Sequence, residues 1–352
     1  MSRSYAALLT VVLLGLLMAL GSHGLRQSAE FSSPAAPESA ASTSISSVSP
    51  QGRLAKQQSA IKQPAPKQRA VPAPQASSAA PPASIRMAEP PDLAIEYTTR
   101  ELERGTAHIV VVPTPLSVGV VLTAPLQPVA AIAQQAEAVA ALNAGFFDPQ
   151  NGLTTSYVTT GGEIVADPRQ NARLMDNPDL EPYLPLILNR SEFRRYSCRA
   201  RDGGDAIQYA IAAHDVATPA GCRITDAVGG GPRLLPQMTS VEEGFVAIVD
   251  GDRLRDALDE TQPNARSAVG VTAAGDILLV MVAQRPDTSP SGVTLAELAA
   301  LMQDLGATEA LNLDGGSSAT LYYRGQAHFG RWADGQPVER PVKTALVVPH
   351  ER

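Results

Sequence analysis

From residue 105 onward the chain alternates short β-branched runs with turn residues, the pattern of half-buried and buried strands. His108–Val112 (HIVVV) and Ser117–Thr123 (SVGVVLT) predict two strands parted by a turn at Pro113–Pro115. Leu126–Ala136 is Ala-rich and helix-compatible, and the apolar run Glu137–Leu142 after it ends in Asn143-Ala144-Gly145. Further strands are expected at Ala206–Ala213, Arg223–Val228, Phe245–Val249, Ser267–Thr272 and Ile277–Val282. Gly275-Asp276 makes the last two a hairpin. Thr294–Leu305 predicts the clearest helix. Leu295, Leu298, Met302 and Leu305 share one face, Thr294 and Glu297 suit a capping box, and Gly306 suits a left-handed cap. The apolar stretch Glu309–Leu313 then leads into Asp314-Gly315-Gly316-Ser317-Ser318.

The N-terminal part reads differently. Arg3 precedes an uncharged run, Tyr5 to Leu20, which is short for a spanning helix of about 20 residues. Residues 1–26 are therefore expected to be a signal peptide, with an N-terminal membrane anchor as the other reading. Residues 27–91, rich in Ser, Ala, Pro and Gln, cannot bury enough apolar surface to offset their ordering entropy and predict a disordered linker. Residues 92–352 are then a single globular domain, expected outside the cytoplasmic membrane: periplasmic or extracellular, tethered only if the first segment stays uncleaved.

Charge follows the same division. Residues 1–91 carry a balance of +5, and the rest a balance of −12. An acidic domain without a basic stripe excludes nucleic acid as the default partner. The two cysteines, Cys198 and Cys222, fall in the part expected to be exported, where a disulfide persists. A bridge between them is worth about 3–4 kcal/mol by loop entropy.

Three glycine-rich turns directly follow apolar stretches: Asn143–Asp148, Gly229–Arg233 and Asp314–Ser318. Glycine lets a backbone approach a ligand closely and aim its N–H groups at an anion. None of the three has the spacing of a nucleotide phosphate loop. The histidines are scattered, so a zinc hydrolase site is not expected, and Gly315–Ala319 (GGSSA) is no nucleophile elbow. No cofactor is required by the sequence. Asp314 and Asn312 leave room for an oxygen-ligated Ca or Mg ion.

The ordered set LNAGFFD, AVGGGPRLL, ARSAVGV, GVTLAELAALMQDLGA and ALNLDGGSSATL resembles the phosphodiester glycosidase family. The resemblance runs from about Leu116 to Val348. It implies an α+β fold with a mixed β-sheet core and flanking helices, and hydrolysis at an anomeric carbon that bears a phosphodiester. It carries Asn143, Arg266 and Asp314 as catalytic candidates. Gly145, Phe146, Gly230, Gly231, Arg285, Gly315, Gly316 and Ser318 are carried as substrate- or phosphate-binding candidates. Ala144 departs from the family's usual Asn-Gly-Gly, Ala265 and Ser267 from Pro-Arg-Thr, and Ala283-Gln284 from an Asp-Gly pair.

Chemistry supports a division of labour. An arginine fork suits a phosphodiester's charge, which points to Arg266 and Arg285, with Arg233 behind them. A phosphate leaving group is weakly basic, so one carboxylate can suffice, and Asp314 is the expected base or nucleophile. Asp148 reads as a turn former. The expected function is an exported hydrolase of a sugar-1-phosphodiester in a polysaccharide or glycan. The alternative is a non-catalytic carbohydrate- or phosphate-binding module involved in exopolysaccharide or envelope assembly.

Overall fold

The computed structural model describes residues 94–200 and 203–350. The expectations for residues 1–26 and 27–91 lie outside the described residues.

Two antiparallel sheets face each other across the main core. The first has six strands in the order Glu96–Glu101, Gly105–Val112, Ile277–Gln284, Arg266–Thr272, Ala307–Asn312, Arg233–Leu235. The second has five, in the order Gln326–Phe329, Thr320–Tyr323, Ala138–Asn143, Val342–Pro349, Gly119–Gln127. The Pro113–Pro115 corner carries the chain from one sheet to the other, so the two strands expected on either side of it do not pair with each other.

The run Ile277–Val282 (ILLVMV) is apolar at every position because both of its faces are covered. Ile277, Leu279 and Met281 point into the core shared by the sheets. Leu278, Val280 and Val282 point outward, under helix Leu295–Asp304. The second sheet repeats the arrangement: Leu142 and Leu346 face inward, while Ala141 and Val347 pack outward against helix Val129–Gln135. The layers therefore run helix, sheet, sheet, helix.

A third, five-stranded antiparallel sheet, in the order Glu163–Ala166, Val158–Thr160, Cys222–Gly229, Ser191–Arg199, Asp205–Ala213, adds Val158, Phe193, Ile211 and Val228 to the shared core. Every strand pairing among the described residues is antiparallel, and strands far outweigh the short helices. This corrects the expected mixed sheet and meets the α+β expectation only loosely. Hairpins such as Arg266–Thr272 with Ile277–Gln284 pair antiparallel through tight turns. Sequence-distant neighbours such as Gly105–Val112 with Ile277–Gln284 are antiparallel too, so no parallel crossover unit is present among the described residues.

Local predictions fare better. Thr294 Oγ1 and Glu297 complete the capping box, and Gly306 has φ +89°. Arg266–Thr272 and Ile277–Gln284 form the expected hairpin. Cys198 and Cys222 lie directly opposite each other on adjacent strands and are bonded.

Candidate active site

The three glycine-rich turns meet. Asn143 ends its strand with a fully buried side chain. Its Nδ2 donates to the Asp314 carbonyl (2.5 Å), while its Oδ1 accepts from Ser267 Oγ (2.7 Å) and from the Thr320 N–H (3.0 Å). The Asp314 N–H donates to the Ala144 carbonyl at 2.9 Å. The Gly231 N–H donates to the Asn312 carbonyl at 2.8 Å, and Asn312 Nδ2 returns a bond to the Gly231 carbonyl at 2.7 Å. A Cβ on Gly145 would lie 2.8 Å from the Gly229 carbonyl oxygen, and one on Gly230 2.7 Å from that of Asn312. Glycine at these positions is thus a demand of close backbone packing among the motifs themselves.

Asp314 sits at this junction, partly exposed yet densely surrounded. Burial pushes its carboxyl up to about 6, against the opposing pull of the Ser318 hydroxyl, the Arg340 charge and the Gly315 N–H. The Ser318 hydroxyl is buried and lies close enough to lower the Asp314 carboxyl, with no other partner among the described residues. A carboxyl that titrates near 6 can give or take a proton at neutral pH.

Arg340 was not a candidate from the sequence. Its guanidinium donates to Ser317 Oγ at 2.9 Å, lies 5.2 Å from the Phe147 ring centroid and is partly exposed. Among the described residues its other nitrogens make no hydrogen bond, so they are available to an anion beside Asp314. No local signal marks it: it stands in the short polar loop between strand Gln336–Pro337 and strand Val342–Pro349. Only the tertiary fold brings it to the glycine turns.

Arg266 is placed differently from the expectation. Its backbone borders Gly315, since a Cβ there would lie 3.6 Å from Arg266 Cα. Its guanidinium, however, is buried and donates to the carbonyls of Val293, Leu258, Asp259 and Gln262 at 3.1–3.3 Å. All three nitrogens are engaged, so as placed Arg266 organises the 258–262 loop instead of offering a free fork. Arg285, for its part, is paired with Glu101. Arg233 is partly exposed with a buried Nε that has no partner among the described residues.

Behind the second glycine turn lies a carboxylate that the sequence reading missed. Glu243 is buried. Its Oε1 accepts from Ser191 Oγ (2.7 Å), Thr239 Oγ1 (2.5 Å) and the Arg233 N–H (3.1 Å), and its Oε2 from the Ser191 N–H (3.3 Å). At Gly231 (φ +125°) a Cβ would run into Glu243 Oε2 and the Phe245 ring, so only glycine fits there. The Arg190 guanidinium covers the Phe245 ring at 3.7 Å, and Phe146 packs on the same ring with centroids 5.9 Å apart. Asp148 forms the expected turn, accepting from Gln150 N and from Arg173. Among the described residues no three His, Cys, Asp or Glu side chains converge to hold a metal ion.

The fold is similar to that of the catalytic domain of zebrafish N-acetylglucosamine-1-phosphodiester alpha-N-acetylglucosaminidase, seen auto-inhibited by its pro-peptide. The two are 20% identical with a TM-score of 0.51, over 73% of this chain and 83% of that one. A hypothetical protein from Synechocystis is 19% identical with a TM-score of 0.48, over 71% of this chain and 61% of that one. No curated protein sequence matches the chain. The family model for phosphodiester glycosidases matches residues 136–349, well over half of the chain and all three glycine turns. The chain belongs to the phosphodiester glycosidase family.

Proposed function

We propose that this protein is an exported hydrolase that cleaves the bond between an anomeric carbon and a phosphodiester oxygen in a glycan. The observation that carries this reading is a recessed carboxyl titrating near 6 beside an uncommitted arginine, where the ends of strands from all three sheets meet. In this reading Arg340 holds the phosphodiester charge and Asp314 acts at the sugar. Asp314 either attacks the anomeric carbon or takes a proton from an attacking water. The carbon–oxygen bond breaks, and the electron pair leaves with the phosphate as a phosphomonoester, so a strong general acid is not needed. Water supplies the new hydroxyl of the free sugar in either case. Export rests on the sequence of residues 1–26 and on the Cys198–Cys222 bond, which persists in oxidising compartments.

The test is to incubate the purified protein with a panel of sugar-1-phosphodiesters, N-acetylglucosamine-1-phosphodiesters among them, and to measure free sugar and phosphomonoester. Equimolar release supports hydrolysis. Binding without release would leave the chain a carbohydrate- or phosphate-binding module.

A further inference from the structure

Outside the Asp314 site, the open side of the sandwich holds a cleft of about 520 Å³ whose walls include His108, Gln284, Arg285, His328, Phe329 and Trp332. Its volume falls within the roughly 300–1,000 Å³ of small-molecule sites. A second hollow of about 250 Å³ continues from it past Arg285 and Trp332 and is lined by Thr288, Ser289 and Ser291.

The walls are chemically specific. His108 and His328 come from different sheets and stack with centroids 4.5 Å apart. His108 Nδ1 is bound to the Tyr97 hydroxyl at 2.8 Å, which leaves Nε2 unspent, and among the described residues His328 makes no hydrogen bond. Burial lowers both imidazoles, His108 to about 4, so they stay neutral: His108 can offer its one remaining ring nitrogen, and the His328 ring a donor and an acceptor. Arg285 is matched by Glu101, so the cleft carries little net charge on that wall. Trp332 and Phe329 supply aromatic surface. Neutral donor–acceptor pairs beside an indole suit a pyranose, which has hydroxyls around its rim and an apolar C–H face for the π-surface.

The cleft is also joined to the Asp314 site. The Gly330 N–H donates to the Ala319 carbonyl and the Gly330 carbonyl accepts from the Gln284 N–H, both at 2.7 Å. The hairpin that carries Trp332, paired with Pro337, continues directly to Arg340 beside Asp314.

We propose that this cleft is a glycan subsite, taking a neutral pyranose unit of a chain whose phosphodiester end lies at Asp314. The second half of that statement rests on the proposed function; binding in the cleft does not. Trp332 is the single tryptophan of the 352-residue chain, so its fluorescence reports on this cleft and the hollow that continues from it. The full chain is titrated with neutral tetrasaccharides of glucose, mannose, galactose and N-acetylglucosamine, in parallel with Asp314→Asn, His328→Ala and Trp332→Ala. Circular dichroism first checks that each variant folds.

At least one tetrasaccharide should shift or quench the emission with Kd of about 0.1–5 mM, the weak range for a solvent-open site. Asp314→Asn should bind within twofold of the parent. His328→Ala should weaken binding at least fivefold, and calorimetry should show the same for Trp332→Ala. No emission change with any tetrasaccharide at about 20 mM, well above that range, overturns the proposal. So does calorimetric binding that survives both cleft variants. Binding without hydrolysis of any phosphodiester would keep the cleft and remove the catalytic reading; hydrolysis without binding would do the reverse.

Discussion

Asn143 Nδ2 donates to the main-chain carbonyl of Asp314, so the end of one sheet's central strand holds the turn that follows a strand of the other. The same amide accepts from Ser267 and Thr320. Asn143→Ala would strand three partners at once, two of them fully buried, each worth about 1–3 kcal/mol if left unpaired. A loss of about 3–5 kcal/mol in urea unfolding is expected, together with lost activity in the fraction that folds. A stability change below about 1 kcal/mol would show that the junction does not depend on this side chain.

Asp314→Asn should lower kcat by about 10²–10⁴ with KM little changed, the usual range for losing a base or nucleophile. If near-wild-type kcat remains, the catalytic carboxylate must be sought elsewhere, and Glu243 is the first to test.

Because burial raises Asp314 to about 6, the folded protein keeps a proton between about pH 4 and pH 6 that the unfolded chain has already released. This group's contribution to stability is therefore fully present below pH 4 and lost as pH rises through 6, by about 3 kcal/mol. Asp314→Asn should be the more stable protein above pH 6. The acid limb of kcat should fall near pH 6 if the ionised form does the chemistry. Urea titrations of both proteins at several pH values and a kcat profile read these effects separately.

Arg340→Ala should raise KM about tenfold or more, since it removes the uncommitted cation beside the carboxyl. It should also move the acid limb to higher pH, because Arg340 holds the Asp314 carboxyl down. Arg266→Lys should act on stability instead: one ammonium cannot serve four carbonyls. Should Arg266→Lys change KM while its melting curve stays put, the two arginines have been assigned in reverse.

Reduction of Cys198–Cys222 should cost about 2–4 kcal/mol in urea unfolding, with little effect on KM. The bond crosses strands Ser191–Arg199 and Cys222–Gly229 near their ends away from Gly229 and the glycine turns.

The glycine turns, the capped helix and the central hairpin were legible because each rests on local chemistry. The tertiary pairings were less so. Strand Ser191–Arg199 (SEFRRYSCR) shows no apolar alternation because Glu192 and Arg194 are buried as an ion pair, with the Arg194 guanidinium spent on the carbonyls of Ala213, His214 and Val216. Arg266 was recognisable as a notable arginine, but the direction of its guanidinium is set by a loop that no motif announces. Arg340 and Glu243 reach the glycine turns only through the fold, from polar segments resembling ordinary surface.

The helix–sheet–sheet–helix layering has a consequence for how this protein would tolerate change. The junction at Asn143 and Asp314 spans the gap between the two sheets, so the thickness of the shared core sets the spacing of the groups proposed to react. Met281 and Leu279 touch no substrate, yet a smaller side chain at either would let the sheets settle together and draw the glycine turns out of alignment. Catalysis here would act as a caliper for interior packing, recording each loss of core volume in the alignment of the site as well as in the stability it costs.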